Sequence, residues 1–220
     1  MMALECVDTQ FSVYRISGFP AFVEAVKLEE EILADAGLPD APRFAHQRSS
    51  PTVMHVAVDD RGLPLGVASS TVGPLAELPL GMAMAAAGIG TETHLLVPDP
   101  CCELVSLAVD PEMAGEERVT GVTEALYRSF YRRAKQSQAR SAVAGVDPWI
   151  FDLLTERYGV PFKVLGPPLE LLGRQLLAVG GDLQDLEVGV RAAAPEFAAY
   201  LDLPYRTSVE DLEPSVPTGV

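Results

Sequence analysis

One strand feeding one long helix constrains this chain more than any other feature. Residues 103–109 are an apolar, partly β-branched run stopped by Asp110-Pro111, and a run bounded in this way reads as a strand. A loop over 112–117 follows. Val122, Ala125, Leu126, Ser129, Phe130 and Arg133 then recur at i, i+3, i+4, i+7, i+8 and i+11. That spacing sets one face of a helix over 118–136 against a core. A short strand of small residues, 141–146, comes next. Two strands joined by a crossover helix lie parallel, so the chain must build a sheet with helices packed on it.

The flanking segments extend this unit. Residues 11–16 read as a strand and 20–36 as a helix, with Pro20 in its first turn and Gly37 past its end. Residues 52–58 and 65–72 are the arms of a hairpin turned by Asp59-Asp60-Arg61-Gly62. An Ala- and Gly-rich insertion with a helix over 76–88 separates the hairpin from the strand at 103. Beyond 146, Asp147-Pro148 opens a helix over 149–157 that Gly159 ends. Strands at 162–165 and 175–179 follow, with a further helix near 191–201. The expected organisation is one domain over 1–206 and a Pro- and acid-rich tail over 207–220.

Composition removes several classes of function. The net charge is −15, which makes nucleic acid a poor partner. The longest near-apolar run, 78–90, is too short to span a bilayer, and residues 1–8 lack a secretory pattern. Three cysteines, two of them adjacent, and three scattered histidines make neither a disulfide framework nor a zinc site. The chain is therefore expected to be soluble and cytoplasmic, without a metal, and with Cys101 and Cys102 as buried inert thiols. Six of its sixteen Lys and Arg residues fall between Arg118 and Arg140, a basic island in an acidic protein.

The segment Glu103-Leu104-Val105-Ser106-Leu107-Ala108-Val109-Asp110-Pro111, its Gly- and Arg-containing loop and the long helix together resemble the GNAT N-acyltransferase superfamily. The hairpin, Gly73-Pro74, the insertion and Glu103 at the head of the strand resemble its N-acyl amino acid synthase and acyl-homoserine-lactone (autoinducer) synthase branch. The stretch 148–166 resembles the part that closes the acyl side of the site. The resemblance covers roughly 10–170. It implies an α/β fold with a mixed, mostly antiparallel central sheet, a V-shaped splay between neighbouring strands at Val105 and Ala142, and helices on both faces. It also implies an N-acyltransferase that uses acyl-CoA or an acyl-phosphopantetheine on an acyl carrier protein, with a small-molecule amine or amino acid as acceptor.

Residue by residue, the resemblance makes Glu103 the base or amine anchor and Tyr158 a general acid. Val105, Ser106 and Leu107 would offer backbone groups to the pantetheine arm. Gly115, Arg118, Val119 and Thr120 would hold phosphate at the helix start. Arg128, Arg132, Arg133 and Lys135 would dock an acidic carrier protein, or else form a solvated helix face. Tyr127, Tyr131 and Trp149 suit core or acyl-pocket walls, and Met82 and Met84 suit an acyl chain or plain packing. Two other readings stand beside this one. The chain could be a catalytically silent GNAT-like binding protein. It could also be an S-adenosylmethionine-using relative of the autoinducer synthases, although Leu107 stands where that group carries an arginine after the serine.

Overall fold

The computed structural model describes residues 2–7, 11–17, 20–35, 52–90, 96–171 and 173–202. The tail over 207–220 lies outside them. Nine strands form one open sheet: β1 (Met2–Val7), β2 (Phe11–Ile16), β3 (Val53–Asp59), β4 (Pro64–Gly73), β5 (Cys101–Val109), β6 (Ser141–Val146), β7 (Lys163–Val164), β8 (Leu169–Leu171) and β9 (Arg174–Asp182). Their order is β1-β2-β3-β4-β5-β6-β9-β7, with β8 also on β9. Only β5 and β6 run parallel; every other pair is antiparallel. This is the GNAT-like mixed, mostly antiparallel α/β architecture expected above. The strand at Met2–Val7 has no forecast in the sequence reading.

Among the described residues seven α-helices cover the sheet: α1 (Ala21–Asp35), α2 (Pro79–Ala86), α3 (Pro111–Ala114), α4 (Glu116–Gln136), α5 (Pro148–Tyr158), α6 (Leu183–Ala193) and α7 (Pro195–Asp202). The loop expected over 112–117 is largely α3. It is started by Asp110, whose carboxylate accepts the N–H groups of Glu112 and Met113. The helix expected near 191–201 is two helices. Pro195 breaks them, because its ring cannot continue a helix. Gly159 ends α5 in the left-handed region at φ 62°. A Cβ there would also stand 2.1 Å from that of Ala193, so the α5 and α6 ends can meet only at a glycine.

Each face of the sheet has its own core. On one, Ala25, Ile32 and Leu33 of α1 pack on Ile16, Met54, Val56 and Val67. On the other, Val122, Ala125 and Leu126 of α4 pack on Phe11, Ala57, Leu65 and Ala68. Fully burying side chains such as Met54 and Leu126 stabilises by about 1.5–3 kcal/mol each. In α1 the buried positions are Ala25, Glu29, Ile32 and Leu33. The sequence offers Val23, Val26, Leu28 and Ile32 as a partial apolar stripe. Of these Ile32 is buried and Val26 and Leu28 pack half-buried beside it, and a carboxylate, Glu29, lies inside the buried set.

Candidate active site

The site begins where β5 and β6 stop pairing. Cys101 faces Ser141, Cys102 faces Ala142, Glu103 faces Val143 and Leu104 faces Ala144, and the ladder ends there although β5 continues to Val109. On its other side β5 pairs β4 with a shift: Ser69 opposes Ser106 and Ser70 opposes Leu104. Val105 is therefore the extra residue of a β-bulge, which bends the strand at the point where it leaves β6. The expected parting is present, but on β6 it begins beyond Ala144 rather than at Ala142. Val105–Val109 present one backbone edge with no strand partner in β6, and such groups need another partner.

Helix α4 starts just beyond this opening. Gly115 supplies its first turn at φ 74°, a conformation open to glycine. Arg118, expected to aim at phosphate, instead folds back. Its Nε donates to the carbonyl of Ala114 at 2.6 Å, and its Nη2 donates to that of Met113 at 3.4 Å. It caps α3, which the expected phosphate role did not anticipate. Those two acids lie exposed in the first turn of α4, where they suit the helix dipole and oppose an anion. Val119 packs in the core and Thr120 is exposed.

Against the face that carries α4, an apolar cavity of about 120 Å³ opens beside the split. Leu104, Tyr127, Phe130, Ala142, Ala144, Val146, Leu154, Leu183, Val190 and Phe197 are among its lining residues. Tyr127 and Tyr131 thus line a pocket, as expected. Burial pushes the Tyr127 hydroxyl up to about 12, so it remains protonated at neutral pH. Trp149 is not in this wall; it is 62% exposed on α5. Met84 packs in the core around α2, across the sheet, and Met82 is exposed.

The opposite face is polar. Glu103 is 3% exposed, and both its carboxylate oxygens lie on the Leu80 N–H, at 3.0 and 3.1 Å. It thereby satisfies a backbone donor in the first turn of α2. Beside it Ser106 bridges Ser69, at 2.6 Å, and Glu29 of α1. The Thr71 hydroxyl, opposite Glu103 across β4 and β5, is buried and makes no hydrogen bond. Glu29 was missed by the sequence reading. Its signal was a carboxylate at i+4 in the stripe of Ala25, Ile32 and Leu33.

Two further expectations change and one holds. The Tyr158 hydroxyl donates to Glu124 Oε1 at 2.7 Å, and burial, that bond and the Glu124 charge push its ionisation far above the ordinary tyrosine range. It clamps α5 to α4 and does not line the cavity. Half of the basic patch is not at the surface: Arg128 and Arg132 are buried, and Arg128 lies over the Tyr200 ring of α7 at 4.7 Å. Arg133 is half-buried, and Lys135 is exposed and pairs with Glu187 at 2.7 Å. Cys101 and Cys102 are buried as expected, and burial first of all raises each thiol to about 12, far from a reactive thiolate.

A second buried polar set was not foreseen. His55 bonds Ser129 of α4 through Nδ1 at 2.7 Å and Ser70 through Nε2 at 2.8 Å. Burial, then the charges of Arg15 and Arg133, lower it to about 3, so its neutral ring ties β3, β4 and α4 together. Among the described residues no His, Cys, Asp and Glu group could hold a metal, and no helix is long and apolar enough to cross a membrane.

No protein-family model matches this sequence, and no curated protein matches it. Solved structures do. FeeM, an N-acyl amino acid synthase from uncultured soil microbes, aligns at 13% identity over 83% of this chain and 95% of its own, with a TM-score of 0.61. The AHL synthase LasI aligns at 12% identity over 83% and 94%, with a TM-score of 0.57. TofI, solved with an inhibitor and MTA, aligns at 19% identity over 89% and 97%, with a TM-score of 0.50. At such identities the likeness is one of fold, and it agrees with the mixed, mostly antiparallel sheet described above.

Proposed function

We propose that the protein is an N-acyltransferase that moves an acyl group from a pantetheine thioester to the amine of a small molecule or amino acid. The observation that carries this reading is the end of the β5–β6 ladder at Leu104 and Ala144 with an apolar cavity directly beside it. The unpaired edge of Val105–Val109 suits the amides of a pantetheine arm, which would extend the sheet as a strand does. The acyl chain would enter the cavity, leaving the thioester carbonyl at the mouth of the split.

Attack by the amine forms the C–N bond and breaks the C–S bond, and the proton lost by nitrogen must be accepted. Glu103 would accept it: this carboxylate lies on the α2 face, two residues before the bulge. An ammonium or neutral amine arriving from that face would meet its carboxylate, while the acyl chain lies on the other face. Backbone N–H groups near Val105 would polarise the carbonyl. Acyl-CoA is favoured over a carrier protein as donor, because Arg128 and Arg132 are internal and a net charge of −15 repels an acidic carrier.

A binding protein without turnover is the second reading. It is favoured by Arg118 being spent on carbonyls and by Glu116 and Glu117 beside the helix start. Incubating the protein with a panel of acyl-CoAs and amino acids separates the two. N-acyl product and free CoA by mass spectrometry support the transferase. Thermal stabilisation by acyl-CoA with no product supports the binder, and neither effect overturns both.

A further inference from the structure

The cavity is lined by apolar and aromatic side chains apart from Glu187 and Arg191 of α6. The β6–β9 register runs from Ser141 opposite Asp182 to Val146 opposite Leu177, so the end near Ser141 is the one remote from the split. There α4 finishes and α6 begins. At this end the Glu187 carboxylate of α6 accepts from the Tyr131 hydroxyl at 2.8 Å and from Lys135 Nζ at 2.7 Å. Leu183 and Glu187 line the cavity, and the same two residues line a polar surface depression shared with Lys135, Gln138, Arg140 and Gln184. Leu183 and Glu187 therefore stand between the apolar pocket and the polar depression, bordering both.

That border is held by polar bonds, not by packing alone. Burial works to raise the Glu187 carboxyl, but the bonds from Lys135 and Tyr131 and the charges of Lys135 and Arg191 outweigh it and hold the group below its ordinary range. The carboxylate is thus charged at neutral pH, with its partners fixed around it. A methyl end pushed against this border would have to displace a bonded ion pair to go further, which costs more than moving apolar side chains.

We infer that Tyr131, Lys135 and Glu187 form a plug that sets the length of the straight acyl chain this protein accepts. The inference rests on the cavity being the acyl pocket. The substrate class it names is short, unbranched acyl groups. A dry cavity of about 150 Å³ takes a six-carbon ring, so one of this size holds a chain of on the order of four to six carbons beyond the carbonyl. Longer chains enter only if the plug opens.

The test uses saturated fatty acids and the matching acyl-CoAs, four to fourteen carbons long, titrated by calorimetry into the wild-type protein. Affinity should rise about fourfold per added methylene and then stop rising at a sharp break. Glu187→Ala, which opens the cavity toward the depression, should move that break by two or more carbons. Lys135→Ala, at a half-exposed side chain, should move it in the same direction if Glu187→Ala does not fold. Gln184→Ala lines only the depression and should leave the break in place. A break unmoved in the folded plug variants overturns the inference, as does wild-type protein that binds neither ligand series. Fatty acids that bind with a movable break, while no acyl-CoA binds or reacts, keep the plug and defeat the transferase reading.

Discussion

The two faces of the sheet differ most where β5 leaves β6. The α4 face meets the split with Leu104, Tyr127, Ala144 and Val146 around an apolar cavity. The face of α1 and α2 meets it with Glu103, Ser106, Ser69, Thr71 and Glu29. An interior favours apolar groups, and each buried carboxylate or hydroxyl left unpaired costs on the order of 1–3 kcal/mol. Around the split, Glu103 and Glu29, both hydrogen-bonded, and the unbonded Thr71 hydroxyl on one face contrast with the apolar cavity on the other. This fits the proposal of an acyl chain on one side and a polar, amine-bearing molecule on the other.

This contrast can be broken at either face. Removing charge from the polar side should have the largest effect. Glu103→Gln keeps an oxygen for the Leu80 N–H but cannot take a proton, so kcat/KM for transfer should fall by about 10²–10⁴-fold, while acyl-CoA affinity stays within twofold. An equal loss of acyl-CoA affinity would place Glu103 in the wrong half of the site. Next, Ala144→Phe fills the cavity from β6. Excluding about three methylenes should weaken acyl-CoA binding by about 60-fold, measured by calorimetry, with the acceptor's KM unchanged.

A smaller effect sharpens the account of the α4 face, whose buried His55 is neutral. Its native pKa, about 3, is below that of the unfolded chain. The unfolded state therefore takes a proton first as pH falls from about 6.5. Stability present above that value should be lost toward pH 3, at about 1.4 kcal/mol per pH unit. In urea titrations His55→Gln should lower this slope by about one proton, and an unchanged slope would mean that the ring is charged in the native state. The smallest effect is at Tyr158→Phe. Losing the bond to Glu124 should cost about 1 kcal/mol of stability and leave turnover within twofold, whereas a large drop in kcat would restore Tyr158 as an acid.

The parts legible in the sequence are those carried by local period. The strand at 103–109, the helix at 118–136 and the strand at 141–146 lie within two residues of β5, α4 and β6. The site was legible at Glu103 and Val105 only through resemblance, since nothing in a run of strand residues marks a bulge or the end of a ladder. The period of α4 sorted its residues into faces but could not show that Tyr200 of α7 lies on Arg128 or that Arg132 is buried too, so both read as surface. The Glu29–Ser106 and His55–Ser129 contacts join residues 77 and 74 positions apart, a distance over which no periodicity reaches. The plug at Glu187 needed α6 to be seen as a separate helix.

The most direct test is a crystal structure with a hydrolysis-resistant short-chain acyl-CoA thioether. The account predicts the acyl chain in the cavity beside Tyr127 and Ala144, the pantetheine amides bonded along Val105–Val109, and the sulfur at the mouth of the split. Pantetheine bound elsewhere on the protein, with the cavity empty and the β5 edge free, would contradict it.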